Sequence, residues 1–122
     1  MFDWLANPNR FNRITKKLQP FILFIAMITL ISGLYFGLYD SPKDYQQGDA
    51  VRIMYVHVPA AWLASFLYFS LAVSCVLYLV WKHPLADLVS SSIAPIGALF
   101  SALTLITGSL WGKPMWGTWW VW

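Results

Sequence analysis

One histidine and a run of tryptophans carry the side chains of this sequence with the most chemical potential. The segment Trp111-Gly-Lys-Pro-Met-Trp-Gly-Thr-Trp-Trp-Val-Trp122 holds five of the chain's eight tryptophans. Indole faces stack on flat apolar molecules, and they also anchor proteins at membrane surfaces. The spacing is irregular, and Gly112, Pro114 and Gly117 lie between the indoles. This predicts a loop or flat surface segment rather than a helical stripe. The two Trp-Gly pairs predict a shaped backbone that a ligand or neighbouring chain can approach closely. His57 offers an imidazole that, when neutral, can ligate a metal such as iron. Arg52, five residues before it, is the best-placed cation for a ligand carboxylate. Asp44 and Asp49 are further polar candidates in the same stretch, with solvation and topology as the competing explanation for all three.

The elements that must position these residues are membrane helices. The composition is 59% hydrophobic and 11% charged, with no glutamate, which excludes an ordinary soluble domain. Three uncharged runs, Leu18–Tyr39, Ile53–Trp81 and Leu88–Gly112, each exceed the ~20 residues needed to cross a bilayer. Each must be helical there, because lipid offers no partner to a free backbone group. The predicted fold class is therefore all-α integral membrane. Spans are expected at about 18–39, 53–81 and 88–110, after a polar N-terminal segment 1–17 and before a tryptophan-rich segment 111–122. Phe2, Trp4, Leu5 and Phe11 give the N-terminal segment the apolar contacts of a short interfacial helix. Pro20 is expected in the first turn of span one. Pro59 is expected to interrupt the start of span two, making 52–58 a kinked turn or a separate lead-in. Gly33 and Gly37 form a GxxxG pair that permits close helix contact.

Arg10, Arg13, Lys16 and Lys17 precede span one, so the positive-inside rule predicts a cytoplasmic N-terminus. Alternation then carries the 40–52 loop, His57 and the tryptophans to the outer face, and His83 to the inner one. His57 lies roughly 6 Å below the outer end of its span, at 1.5 Å rise per residue. Two readings of it are open, an interfacial histidine bonded to water or a carbonyl, and a metal ligand. A full membrane thickness separates it from His83, so the two cannot serve one site. Met115 is a possible thioether ligand, with packing the more ordinary role. The single Cys75 excludes an intrachain disulfide, and there is no CxxCH sequence. No catalytic dyad, phosphate loop or zinc-spacing cluster is present, so no catalytic residue is assigned. The basic N-terminus is explained by topology and the inner leaflet, without nucleic acid.

The tryptophan segment resembles the "WWD" motif of the haem-handling proteins of cytochrome c maturation. Together with Met54-Tyr-Val-His-Val-Pro-Ala-Ala-Trp62, it is similar over essentially the whole chain to the haem exporter protein C (CcmC) family. The resemblance implies a six-helix bundle of the bacterial inner membrane, with the tryptophan segment periplasmic. It implies transient binding of haem b on a platform of Trp111, Trp116, Trp119, Trp120 and Trp122, with His57 as an axial ligand of the iron. Arg52 is the candidate for the propionates. Implied partners are the chaperone CcmE, the ABC-type pair CcmA and CcmB, and the small subunit CcmD. The role implied is haem transfer, lyase-like rather than that of a conventional enzyme. The family's second axial histidine, the acidic residue closing the motif and three further helices have no counterpart in these residues, so the chain looks like an N-terminal half. Two other classes compete. One is a structural or interaction subunit whose tryptophans dock a partner without haem. The other is an electron-transfer subunit with buried b-type haem, which needs paired histidines on facing helices.

Overall fold

The computed structural model describes residues 7–121, and these form three long helices. The first, α1, runs Pro8–Tyr35 and continues as a π-helical turn, Phe36–Asp40. The second, α2, is Val51–Trp81, and the third, α3, is Pro84–Trp116. All three are long and apolar enough to cross a membrane, and no strand forms among the described residues. The chain is an all-α, multi-pass integral membrane protein.

α1 starts earlier than the apolar run predicts. Asn7 caps it, its side-chain oxygen accepting from the backbone N–H groups of Asn9 at 3.0 Å and Arg10 at 3.4 Å, and Pro8 follows at the first helical position. Both choices satisfy or remove donors that a helix start leaves orphaned. The basic stretch is thus the first part of α1 rather than a separate element, and Pro20 lies inside the helix, not in its first turn. Phe2, Trp4 and Leu5, expected in an interfacial helix, fall outside the described residues. Pro59 likewise does not break α2, which is continuous from Val51, so 52–58 is the first part of α2 rather than a separate lead-in.

α2 and α3 form an antiparallel hairpin with one continuous seam. The less exposed positions on α2 include Ile53, His57, Ala60, Ala64, Leu67, Leu71 and Ser74. On α3 they include Ala86, Ser90, Ile93, Gly97, Phe100, Thr104, Thr107 and Trp111. Both sets alternate steps of four and three, the 3.5-residue period of left-handed helix pairs. The hinge is Lys82, held in the left-handed region at φ 52°, with its N–H on the carbonyl of Tyr78 at 2.8 Å. Residues equally spaced on either side of Lys82 face each other, as Leu67 and Gly97 do.

Small residues on the seam bring the backbones together, which is how helices associate where lipid removes the hydrophobic driving force. A Cβ built on Gly97 would lie 3.7 Å from Cβ of Leu67, an ordinary contact. Gly97→Ala is therefore expected to be tolerated. Gly97→Leu should cost about 1–3 kcal/mol through overpacking, measured as a lowered unfolding midpoint in detergent. Hydroxyls on the helices are satisfied locally: Ser65, Ser70 and Thr104 each donate to the carbonyl four residues back, at 2.8–2.9 Å. This is the usual solution for a polar side chain at membrane depth.

α1 runs antiparallel to α2 and meets it closely at the π turn. A Cβ on Gly37 would sit 3.0 Å from Cβ of Tyr55, whereas Gly33 faces open space. Only Gly37 of the GxxxG pair is therefore used in close packing here. Below this contact the helices splay around an apolar groove bounded by Ala26, Leu30 and Gly33 on α1 and by Pro59 and Leu63 on α2.

Candidate functional site

The end rungs of the α2–α3 seam place the histidine. Its Nδ1 lies 3.0 Å from Oγ1 of Thr107, fifty residues away in sequence and centred with it on Lys82. Thr107 is buried at 8% exposure and its hydroxyl also lies 2.7 Å from the Leu103 carbonyl. Gly108 comes next on α3, and a Cβ there would lie 3.0 Å from Cε1 of His57. The imidazole therefore rests its Cε1 edge against bare backbone, with one nitrogen tied to α3.

One turn further on, the seam reaches Trp111. Its indole N–H donates to Oε1 of Gln47 at 2.9 Å, and its ring meets that of Trp116 edge-on, with centroids 5.0 Å apart at 84°. Gln47 is held by a tight turn. Asp44 accepts from the N–H groups of Gln46 at 2.9 Å and Gln47 at 2.7 Å, and pairs backbone to backbone with Gly48. Gly48, at φ 57°, supplies the left-handed residue that this turn requires.

The tryptophan segment is only partly the loop expected. α3 continues through Gly112 and Pro114 to Trp116, because the seam spacing persists to Trp111 and Gly112 is buried beneath the Trp116 ring. Gly117 then ends the helix in the left-handed region at φ 76°, its N–H on the Lys113 carbonyl at 3.0 Å, a glycine C-cap. Lys113 reaches forward, donating from Nζ to the Gly117 carbonyl at 3.0 Å and lying 5.6 Å over the Trp119 ring. Residues 117–121 thereby fold back beside the last turns of α3.

These pieces enclose a cleft of about 320 Å³, near the lower end of small-molecule sites. Met54, His57 and Gly108 line it together with Trp111, Trp116, Trp119 and Trp120. Trp116, Trp119 and Trp120 remain 67%, 55% and 48% exposed, so the aromatic wall extends beyond the enclosed space. One imidazole and four indoles thus border the same cleft.

The family model described as "Heme exporter protein C" matches residues 1–122. The chain belongs to the haem exporter protein C family. It is 49% identical over 118 residues to the Heme exporter protein C of Bradyrhizobium diazoefficiens, covering 97% of this chain and 44% of that protein. The Haemophilus influenzae protein of the same name is 49% identical over 125 residues, covering 100% of this chain and 51% of its own length. A Marchantia polymorpha protein named as ccmC-like, mitochondrial and of cytochrome c biosynthesis is 55% identical over 122 residues, covering 100% of this chain and 54% of its own length. The chain spans about half the length of the curated relatives it matches.

Within this member of the haem exporter protein C family, the structure brings His57, Trp111, Trp116, Trp119 and Trp120 around one cleft. Trp122 lies outside the described residues. Arg52 is not part of the cleft wall. Its guanidinium donates to the Ser41 carbonyl at 3.3 Å and stands 3.8 Å from Asp49, tying the 41–50 turn to the start of α2. Asp49 is also paired with Lys43 at 2.6 Å. The hydrogen bond from Lys43 holds the Asp49 carboxyl below the usual carboxylate range, against a smaller opposing effect of desolvation. Met115 does not line the cleft, whereas Met54 does. His83 lines a separate apolar pocket with Trp81 and Ala86 at the opposite end of the hairpin. Cys75 is exposed on α2. Among the described residues no three His, Cys, Asp or Glu side chains cluster as a metal site, so His57 stands as a single ligand candidate.

Sequence reading missed Thr107, Gly108, Gln47 and Met54. The signal for Thr107 and Gly108 was present: they lie one turn before Trp111, on the same α3 face.

Proposed function

We propose that this chain binds haem b transiently in the cleft, with His57 as one axial ligand and the tryptophans as a stacking platform. The observation that carries the reading is the convergence of His57 with four tryptophans from the far end of the chain on one apolar cleft. Haem is a flat apolar macrocycle with two carboxylates on one edge. Indole faces suit the macrocycle, a neutral imidazole suits the iron, and a site at the membrane boundary leaves the carboxylates wet. Trp116 and Trp119 line the cleft and remain exposed, which favours a cargo that must leave over one that stays.

The cleft end of the bundle is periplasmic in this reading. It lies opposite the basic start of α1, and the positive-inside rule puts that start in the cytoplasm of a bacterial inner-membrane protein. Family membership supports the rest of the proposal. Haem is presented to the chaperone CcmE during c-type cytochrome biogenesis, in company with CcmA, CcmB and CcmD. Arg52 is assigned to the turn that supports Trp111 rather than to direct contact with the cargo.

The test is a parallel titration of the detergent-purified chain with haem and with metal-free protoporphyrin IX, followed by absorption and tryptophan emission. Both should quench the tryptophans saturably, and haem should bind more tightly because only it has an iron to ligate. Equal affinities would remove the iron–histidine bond from the proposal. No saturable binding of either would favour an interaction subunit whose exposed tryptophans dock another chain.

A further inference from the structure

We propose that Thr107 is a positioning residue that fixes His57 as the Nδ1–H tautomer, leaving the lone pair of Nε2 as the cleft-side ligand. The inference rests on the haem-binding reading of the cleft, and the experiment below separates the failure of one from the failure of the other.

The proton count on Thr107 carries it. A threonine hydroxyl has one hydrogen to give and two lone pairs to offer. Oγ1 of Thr107 lies 2.7 Å from the Leu103 carbonyl and 3.3 Å from that of Thr104, and both carbonyls are acceptors only. The hydroxyl hydrogen goes to the nearer of them. What Thr107 then presents to Nδ1 of His57, at 3.0 Å, is a lone pair, so the imidazole must donate. A neutral imidazole carries one N–H, so Nε2 is bare. No hydrogen bond to Nε2 forms among the described residues, and the ring borders the cleft.

The opposite assignment, with the threonine donating to a bare Nδ1, would forfeit the 2.7 Å hydrogen bond to the Leu103 carbonyl and leave an Nε2–H with no partner among the described residues. A donor without a partner costs free energy wherever water does not reach it. Metal-binding histidines characteristically donate their second nitrogen to an outer partner, which fixes both tautomer and ring orientation. Here the outer partner is itself locked. Thr107 is buried, and its hydroxyl is pinned to the α3 backbone it springs from. The ring plane is held as well, because Gly108 allows Cε1 to rest against α3. α3 thus orients the histidine of α2, and the α2–α3 register decides whether the ligand points into the cleft.

The test uses the full chain in detergent with ¹⁵N-labelled histidine. The chain has only two histidines, so comparison with His57→Ala assigns the signals. In the haem-free protein the His57 nitrogens should read as protonated Nδ1 and bare Nε2. Thr107→Ser, which keeps the hydroxyl, should preserve that pattern. Thr107→Val, which keeps the shape and loses the oxygen, should yield a mixture of tautomers and weaken haem binding about tenfold, within the ~10–100-fold range of outer-partner losses. If Thr107→Val fails to fold, Thr107→Ala gives the same readout. An Nε2–H tautomer in the wild type, or a pattern unmoved by Thr107→Val, overturns the proposal. A tautomer that shifts with Thr107→Val, in a protein whose haem affinity does not depend on His57, upholds the hold of Thr107 on the ring and overturns the haem-ligand reading instead.

Discussion

His57→Ala is expected to remove the preference of this chain for haem over metal-free porphyrin. The indole wall is untouched by the change, so stacking remains and both molecules still quench tryptophan emission. The iron loses the one imidazole that borders the cleft, and no cluster of alternative metal-binding side chains exists among the described residues. Losing an outer partner of a metal-bound histidine costs about 10–100-fold in affinity, and losing the ligand itself should cost at least the upper end of that range. The folding consequence should be smaller. His57 is only half-buried, and Thr107 keeps its carbonyl partner when the imidazole is gone. The measurement is a Soret titration of wild type and variant, with circular dichroism as the check on fold. Adding free imidazole should restore part of the spectrum of the variant, since the cavity left by the side chain opens on the cleft. An unchanged Soret titration in the variant would show that His57 does not ligate the iron.

Much of this arrangement is written in the sequence, but at different ranges. The three spans are legible because an uncharged run longer than the bilayer is thick has few other physical solutions. Where α1 starts was less legible. Asn7 and Pro8 form a strong local start signal, but the basic residues that follow look like a boundary when hydropathy alone is followed. The tryptophan segment misleads in the same way. Gly112 and Pro114 are helix breakers by propensity, yet α3 carries both because Gly112 is needed small beneath Trp116 and Pro114 falls near the helix end. Packing overrode propensity there. The pairing of His57 with Thr107 is harder still, since it depends on the register of two helices. That register follows from a tight turn at Lys82 together with matching steps of four and three on both helices. Hydropathy supplies neither the left-handed Lys82 nor the depth at which the two seams meet.

The close approach of Gly108 to the imidazole gives a prediction in which stability and binding part company. Alanine is the better helix former by about 1 kcal/mol, so Gly108→Ala should leave the unfolding midpoint of the hairpin unchanged or raise it. The added methyl, however, would lie 3.0 Å from Cε1 and 3.9 Å from Nε2 of His57. Carbon atoms prefer about 3.5–4.0 Å, so the ring must move away from α3 by several tenths of an ångström. That movement has two consequences. The hydrogen bond to Thr107, 3.0 Å long, weakens as the ring retreats, and the ring shifts within the cleft that it borders. The ligand nitrogen is therefore displaced and its orientation loosened at the same time. Haem affinity should fall about tenfold, comparable to the loss of an outer partner, while affinity for metal-free porphyrin should change little. Gly108→Leu should enlarge the haem defect and also lower the unfolding midpoint, because the larger side chain overfills the seam. If Gly108→Ala binds haem as the wild type does, the ring yields cheaply, and ring placement by α3 does not govern the iron. If both porphyrins are lost together, the methyl has narrowed the cleft itself, and the indole wall rather than the histidine sets the affinity.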